Sequence, residues 1–229
     1  MEVKYIHHAG DDISVVNAAR VSFAKESGWD IVPFTFESED GDLLSTGHLK
    51  RLTDRDEKLI RYLHKHKHKS PFNHAFLTVR VSAPMFVARQ LVKHKFMPWN
   101  EVSRRYVDFE PEVYGPNEWR SRSDDKKQGS SEDDTMEVGP DYVEFVSDAL
   151  AYYQSLLDSG VCPEQARMVL PLSTYTEWYW SGTLGAFLDM LKLRLAPDTQ
   201  AETRQVAQDV ATIVKDYFPN CYRIVIEDD

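Results

Sequence analysis

The chain has 229 residues, of which 42% are apolar and 28% charged, and its formal net charge is −10. These values are typical of a globular protein with a sizeable core, and the acidic balance disfavours nucleic acid as a partner. Cys162 and Cys221 are too few for a disulfide scaffold and favour a reducing compartment. The N-terminus lacks the apolar run of a signal peptide, and no segment is apolar enough to span a membrane. We therefore expect a cytoplasmic protein, or one in the host cytoplasm if the gene is viral, with no membrane partner.

The first half of the chain is predicted to contain helices and one strand. Apolar residues at helical spacing predict helices over 12–21 and 53–66, whereas the Gly-, Ser- and Asp-rich residues 26–47 are typical of a loop. Alternation of apolar and polar residues over 75–83 predicts a half-buried strand. A further helix is predicted over 84–95, with a proline in its first turn.

The second half begins with residues 118–140, which carry few apolar side chains and are predicted to form a polar surface loop. The capping-box pattern at 199–202 starts a last helix, which Pro219 ends. Helical periodicity before it predicts helices over 141–158, 163–170 and 181–193.

These elements predict an α+β fold that is mostly helical with a small antiparallel sheet, in a single domain over 1–229. The sequence has neither a Gly-x-Gly-x-x-Gly motif nor a P-loop. A nucleotide or flavin would therefore have to bind without a glycine-rich loop.

Basic residues are concentrated in one segment of this acidic chain. Residues 80–105 hold six basic residues against one acidic residue, a local balance of +5. Such a concentration favours an anionic ligand such as a phosphate, although a solvated basic helix end would give the same pattern. On a helix, Arg89 and Lys93 would share one face, and so would Gln90 and His94.

The segment that follows, Asn100–Tyr106, combines an amide, a carboxylate, a hydroxyl, two guanidinium groups and a phenol. Arginine binds phosphate through a planar fork, and glutamate accepts hydrogen bonds from ribose hydroxyls or base N–H groups. Arg194 lies in an otherwise apolar stretch, where an arginine is usually paired with a carboxylate or an anionic ligand. The alternating histidines of 64–69 have the wrong spacing for zinc, so no metal is predicted.

The segment Lys93–Tyr106 resembles the signature of flavin-dependent thymidylate synthases, which reads Arg-His-Arg, two variable residues, Ser, one variable, Asn-Glu, one variable, Ser, one variable, Arg-Tyr. Lysine replaces arginine at Lys93 and Lys95, and Pro98 replaces the first serine. The other positions match: His94, Asn100, Glu101, Ser103, Arg105 and Tyr106. Further blocks in family order lie at 18–23, 70–74, 83–90 and 166–172, and at Leu193-Arg194 with Gln200 and Glu202.

The resemblance implies a homotetrameric methyltransferase that binds FAD and converts dUMP to dTMP. Methylenetetrahydrofolate would supply the carbon and NADPH the hydride. The sequence agrees in one respect: neither cysteine lies in a motif, whereas the classical thymidylate synthases need a cysteine nucleophile.

The resemblance also implies site residues. Arg194 and Ser103 would act in catalysis, with Arg194 stabilising a uracil ring ionised at N3. Asp189 and Asp198 stand where family members have an Asn and a flavin-contacting His. The implied dUMP contacts are Gln90, Lys93, Glu101, Ser103, Arg104, Arg105, Arg167 and Arg194. The implied FAD contacts are Ser22, His68, Ser70, Lys93, His94, Lys95, Asn100, Glu101 and Asp189.

Three other interpretations remain open at this point. The chain could be another flavin- or nucleotide-dependent oxidoreductase on the same scaffold. It could be a nucleic-acid-binding module that uses 64–69 and 80–105, in which case binding would fall steeply with salt. It could also be a family member that has lost activity, given the departures at Lys93, Lys95 and Pro98.

Overall fold

The computed structural model describes residues 1–37, 43–123 and 130–228. These residues form two compact units, each of which is treated by itself below. The first unit comprises Met1–His7, Thr78–Gly182 and Asp189–Ala211, and the second comprises His8–Leu77, Thr183–Leu188 and Thr212–Asp229.

Helices make up most of the regular structure, in agreement with the predicted fold class. Among the described residues, no helix is both long and apolar enough to cross a bilayer. The helices are α1 (Asp12–Arg20), α2 (Asp54–Lys65), α3 (Met85–Leu91), α4 (Pro140–Asp158), α5 (Pro163–Ala166), α6 (Leu184–Arg194), α7 (Ala201–Tyr217) and α8 (Pro219–Tyr222). Short 3-10 turns lie at Val21–Phe23, Ser70–His74 and Arg167–Val169, and a π-helical turn lies at Arg223–Glu227.

The strands form one four-stranded sheet and two separate pairs. The sheet order is β1-β4-β8-β5, and the pairs are β2-β3 and β6-β7. The strands are β1 (Glu2–Ala9), β2 (Asp30–Glu37), β3 (Leu43–Arg51), β4 (Phe76–Pro84), β5 (Trp99–Glu101), β6 (Glu118–Arg122), β7 (Ser130–Glu137) and β8 (Tyr175–Thr183).

Two segments that were predicted to be loops are antiparallel strand pairs, so those predictions are wrong. Within 26–47, β2 pairs with β3, and within 118–140, β6 pairs with β7. Strands β6 and β7 are mostly polar and do not show the alternation that marks a half-buried strand. Strand β2 does alternate, with Val32, Phe34 and Phe36 on one face, but the Gly-, Ser- and Asp-rich composition of 26–47 outweighed this signal. The predicted loop positions 38–42 and 124–129 lie outside the described residues.

Three helix predictions also differ in their bounds, and the predicted helix over 163–170 is α-helical only over Pro163–Ala166, followed by the 3-10 turn Arg167–Val169. Residues 181–183 end strand β8, so helix α6 begins at Leu184 rather than at 181. Helix α3 ends at Leu91, and Phe96 has a left-handed backbone with φ of 63°. The last part of the predicted helix is therefore a turn, so Lys93 and His94 do not share a helix face with Arg89 and Gln90.

In the first unit, β4 and β8 supply the buried centre of the sheet. The apolar side chains of β4 that face inward, Val79 and Val81, are fully buried, as is Trp180 on β8. Strand β5 pairs with β8 in antiparallel register, with Glu101 opposite Trp178. The ring of Trp99 stacks on Trp178 with 4.3 Å between centroids, which fixes the short edge strand that carries Glu101.

In the second unit, two buried carboxylates organise the packing. Asp12 is fully buried and accepts hydrogen bonds from the backbone N–H groups of Asn220 and Cys221, both at 2.9 Å. Asp56, which is 1% exposed, accepts from Arg20 Nη2 at 2.5 Å. Each buried acceptor is thus satisfied by donors from a distant part of the sequence.

Candidate active site

The carboxylate of Glu101 is held in one orientation at the edge of the first unit's sheet. Its Oε1 accepts a hydrogen bond from Thr176 Oγ1 at 2.7 Å, and its Oε2 accepts from Trp99 Nε1 at 3.0 Å. The backbone N–H of Val102 continues the pairing with β8 by donating to the Glu177 carbonyl at 2.8 Å. An exposed carboxylate with both oxygens anchored is preorganised to accept a further hydrogen bond from a ligand.

The arginines after Glu101 lie in the turn that leaves β5. Arg104 Nη1 donates to the Phe109 carbonyl at 2.7 Å, and its guanidinium carbon lies 4.6 Å from the centroid of the Phe109 ring. The guanidinium of Arg105 lies 5.5 Å from the centroid of the Tyr106 ring. The Ser103 hydroxyl oxygen accepts a weak bond from the backbone N–H of Arg105 at 3.4 Å.

These groups border a cavity of about 770 Å³ in the first unit. Of the predicted dUMP contacts, Glu101, Arg104 and Arg167 line it, together with the aromatic ring of Tyr175. Arg105 is linked to a lining residue, because its Nε donates to Glu164 Oε2 at 3.3 Å. The volume is sufficient for a mononucleotide-sized ligand.

The cavity is more acidic than the sequence indicated. Five glutamates and two arginines line it. Arg80 is paired with Glu177 at 2.5 Å and Arg105 with Glu164 at 3.3 Å. The local balance of +5 is therefore partly neutralised by carboxylates from distant parts of the sequence.

A second group of predicted residues meets around Arg194, at the end of helix α6. Arg194 Nε donates to His94 Nε2 at 3.0 Å, and Nη2 donates to the backbone carbonyl of Gln90 at 3.3 Å. The side-chain amide of Gln90 donates to Gln200 Oε1. Sequence reasoning had predicted a partner for Arg194, and the partners are a neutral imidazole and a carbonyl rather than a carboxylate.

Burial alters the ionisation of this group. The pKa of His94 is lowered, first by burial and then by the charge of Arg194, although Asp189 opposes the shift. The pKa of Arg194 is lowered by burial alone. The structure thus keeps a neutral histidine beside an arginine whose charge is only partly solvated.

The predicted FAD contacts fall in both units. In the first unit, Lys93, Lys95 and Asn100 are exposed around the half-buried His94. Within the described chain, neither Lys93 nor Lys95 forms an ion pair with a carboxylate. Two exposed ammonium groups beside hydrogen-bonding side chains fit the phosphates and polar groups of a dinucleotide.

The other predicted flavin residues belong to the second unit. Ser22 is exposed in the 3-10 turn after α1, and His68 and Ser70 are exposed in the link that follows α2. The ring of His68 lies 5.9 Å from the ring of Tyr62. In the part of the chain that the structure describes, no group of three or more His, Cys, Asp or Glu is placed to hold a metal ion.

The contacts reveal functional candidates that the motif alone did not predict. Thr176 orients Glu101, Glu164 pairs with Arg105, and Gln200 binds Gln90. Glu164 and Gln200 stand within or beside the recognised sequence blocks, whereas Thr176 had no signal. Its role depends on strand pairing between β5 and β8, which a single sequence does not display.

Comparison with known proteins agrees with this arrangement. A family model described as thymidylate synthase complementing protein matches residues 4–220. The flavin-dependent thymidylate synthase of Thermus thermophilus is 37% identical over 218 residues, which is 95% of this chain and 72% of the relative. That of Kosmotoga olearia is 35% identical over 224 residues, 96% of this chain and 87% of the relative.

Solved structures give the same picture. The crystal structure of a UMP/dUMP methylase, PolB from Streptomyces cacaoi bound with 5-Br dUMP, is similar with a TM-score of 0.76 and 28% sequence identity. The likeness covers 97% of this chain and 93% of the other. The fold and the site of this chain thus define a class of enzymes that methylate nucleotides. The chain belongs to the flavin-dependent thymidylate synthase family.

Proposed function

We propose that this protein converts dUMP to dTMP, with FAD as cofactor, methylenetetrahydrofolate as carbon donor and NADPH as reductant. The observation that carries the proposal is the cavity bordered by Glu101, Arg104 and Arg167, with Arg105 one contact away. An anchored carboxylate beside several guanidinium groups suits a ligand with a phosphate at one end and hydrogen-bond donors at the other. Family membership adds the reaction class.

In this proposal, the arginines of the cavity hold the phosphate of dUMP. Arg104, Arg105 and Arg167 supply planar donors that pair with phosphate oxygens. Glu101 accepts a hydrogen bond from the sugar or the base, because Thr176 and Trp99 already hold its carboxylate in place. These contacts position the nucleotide.

Arg194 has the catalytic role. A guanidinium that is partly shielded from water stabilises negative charge more strongly than a solvated one. Placed against uracil, it lowers the pKa of the N3–H group, and the ionised ring has higher electron density at C5, the carbon that forms the new bond. Ser103 contributes its hydroxyl proton as a donor to the nucleotide, since its oxygen accepts from the Arg105 backbone.

The flavin contacts are proposed in the same way. Lys93, His94, Lys95 and Asn100 of the first unit would hold the cofactor, together with Glu101, which follows Asn100 in sequence, and Asp189, whose charge acts on His94. For Ser22, His68 and Ser70, which lie in the second unit, flavin contact is proposed from the family resemblance alone. When bound, FAD supplies the redox chemistry of the methylation, while the protein supplies orientation and electrostatics.

We also propose a homotetramer in the cytoplasm, in which residues 1–229 act as one enzyme domain. Large apolar side chains are unusually exposed in the first unit, with Phe96 at 87%, Met168 at 79% and Tyr106 at 78%. Exposed apolar side chains near a binding site are typical of surfaces that another subunit covers. The family model supports the single domain, because its match spans both units.

The test is to purify the chain, record its flavin absorption and measure dTMP formed from dUMP with NADPH and methylenetetrahydrofolate. UMP should be assayed in parallel, because the similar PolB is described as a UMP/dUMP methylase. We expect a yellow protein that makes dTMP. A colourless protein that stays inactive with added FAD would contradict the proposal, and turnover of UMP alone would shift it to the ribonucleotide.

A further inference from the structure

A second cavity of the first unit is lined by aromatic rings. Its volume is about 430 Å³, and it shares no lining residue with the larger cavity that Glu101 borders. The aromatic side chains that line it are Phe86, Tyr114, Trp119, Tyr142 and Phe145. None of these rings belongs to the buried core, and Trp119 is 39% and Phe145 57% exposed. Aromatic rings left partly open to water around one cavity are typical of a ligand-binding surface.

The rings stand at steep angles to one another. Trp119 and Tyr142 meet at 87° with 5.2 Å between ring centroids. Phe86 and Tyr114 meet at 61° with 5.9 Å between centroids. In such a pair the edge of one ring meets the face of the other, so the first ring keeps its own faces for further contacts, and ring faces attract cations. Within the described parts of the chain, no lysine or arginine lies over any ring of this cavity.

The charged side chains of this cavity give it a net negative charge. Glu118 and Glu202 supply two carboxylates against the single guanidinium of Arg120. That guanidinium is already engaged, because Arg120 Nη2 donates to Glu202 Oε1 at 2.6 Å and Arg120 Nε donates to Ser130 Oγ at 2.8 Å. The lining therefore favours a cationic ligand over an anionic one.

Hydrogen bonds hold the aromatic lining in place. The Tyr142 hydroxyl donates to the Tyr114 carbonyl at 2.7 Å, and the Tyr114 backbone N–H donates to the Ser173 carbonyl at 2.8 Å. The Tyr114 hydroxyl donates a long bond of 3.5 Å to Glu202 Oε1. Rings that are already ordered bind a ligand without losing further side-chain entropy.

We propose that this cavity binds a small organic cation, whose alkylated ammonium group lies against the rings of Trp119 and Tyr142. The methyl groups of such a cation match the apolar lining, while its charge is attracted by the ring faces and by the excess carboxylate. The proposal does not depend on the proposed function, because no residue that lines this cavity is assigned to dUMP or FAD.

The test titrates the whole protein with choline and with 3,3-dimethyl-1-butanol, in which a carbon atom replaces the charged nitrogen. Isothermal titration calorimetry at constant ionic strength measures both dissociation constants. We expect choline to bind with a Kd of about 1 mM or tighter, and the neutral analogue to bind at least about fivefold more weakly. Absence of choline binding up to about 50 mM would overturn the proposal, and so would a neutral analogue that binds within about fivefold of choline.

Variants of Trp119 show whether choline binds in this cavity. Trp119→Ala should weaken choline binding at least about tenfold and Trp119→Phe about threefold, because tryptophan is the best aromatic partner for a cation. Tyr152→Ala is the matched control, since it removes an aromatic side chain of α4 that is 57% exposed and does not line the cavity. It should leave choline binding unchanged.

Circular dichroism shows whether each variant folds, and Trp119→Phe carries the test if Trp119→Ala unfolds. Choline affinity that is unchanged in the folded Trp119 variants would place the ligand elsewhere and overturn the proposal. Formation of dTMP from dUMP, measured separately, reports on the proposed function and not on this cavity.

Discussion

Arg194 Nε donates a hydrogen bond to Nε2 of His94 at 3.0 Å. The imidazole must therefore be neutral and carry its proton on Nδ1. Arginine cannot accept a hydrogen bond, so protonation of His94 would remove the contact and place two cations side by side. The Arg194 guanidinium, which is proposed to act on uracil, is thus held by His94 of the family signature only while this histidine is neutral.

Replacement of Arg194 by alanine should reduce kcat for dUMP methylation at least 100-fold. The reason is that removal of a preorganised charge next to developing negative charge commonly costs two to three orders of magnitude. Tritium release from 5-tritiated dUMP measures the rate. Lys192→Ala removes an exposed cation from the same last turn of α6 and is the matched control. Equal rates for Arg194→Ala and the unaltered enzyme, both folded, would show that Arg194 is not catalytic.

The pH dependence follows from His94. The pKa of His94 in the folded protein lies below the ordinary 6.5, chiefly because of burial. At a pH between that lowered pKa and 6.5, His94 therefore binds a proton more readily in the unfolded chain than in the folded one. The free energy of unfolding should therefore fall as pH drops through this window. Activity should fall only at lower pH, when the folded His94 becomes protonated.

A variant with a side chain that does not titrate isolates this effect. His94→Gln keeps a hydrogen-bond acceptor for Arg194 but cannot be protonated. The part of the fall in kcat at low pH that is caused by protonation of His94 should therefore be absent in this variant. The comparison requires full pH profiles of kcat for both proteins with saturating FAD. Identical acid limbs would exclude His94 as the titrating group.

Glu164 is predicted to compete with the phosphate of dUMP. It pairs with Arg105 Nε at 3.3 Å, and both side chains are about half exposed. Glu164→Gln should free Arg105 and lower the KM for dUMP about two- to threefold, a small effect because exposed pairs are weak. The difference should shrink in 1 M salt, where screening is strong. A raised KM would mean that Glu164 orders the arginine rather than competes for it.

Asp56 is predicted to stabilise the second unit. It accepts from Arg20 Nη2 at 2.5 Å, from Thr53 Oγ1 at 2.7 Å and from Ser27 Oγ at 2.9 Å. Asp56→Asn should lower the free energy of unfolding by about 3 kcal/mol, because it leaves a buried arginine without its counter-charge. Urea denaturation measures the loss. Asp30→Asn, which breaks the exposed pair with Arg51, is the control and should cost about 0.5 kcal/mol or less.

The same carboxylate should contribute to acid sensitivity. Burial raises the pKa of Asp56, but the bonds from Arg20, Thr53 and Ser27 outweigh it and leave the pKa below 3.8. Its stabilisation is therefore present above pH 3.8 and is lost as pH falls through the lower folded value. Asp56→Asn should lack this part of the acid transition.

Helices and strands in which apolar residues recur at regular spacing were predictable from the sequence. Helices α2 and α4 follow their apolar spacing, and β4 follows the alternation of Val79 and Val81. The polar pair β6-β7 gave no comparable signal, because its stability depends on pairing such as that of Trp119 with Met136. Tertiary pairing of this kind is not readable from one strand alone.

The residue types of the site were predictable from the sequence, but the net charge around the cavity was not. The motif identified Glu101 and Arg105, and both lie on or beside the cavity. The prediction of a basic patch counted neighbours in sequence and missed Glu164 and Glu177, which come close only through the fold. Lysine in place of arginine at Lys93 and Lys95 predicts weaker binding of the flavin phosphate, because an ammonium group lacks the planar fork of a guanidinium. This stays a prediction.

The central claim is that this chain carries out flavin-dependent methylation of dUMP, and tritium release from 5-tritiated dUMP tests it most directly. The reaction should be run with FAD-loaded protein in the complete mixture, with NADPH or methylenetetrahydrofolate omitted in turn, and with protein from which FAD has been removed. We expect sustained release, with one dTMP formed for each tritium released, only in the complete mixture. Absence of release by folded, FAD-loaded protein in the complete mixture would contradict the claim.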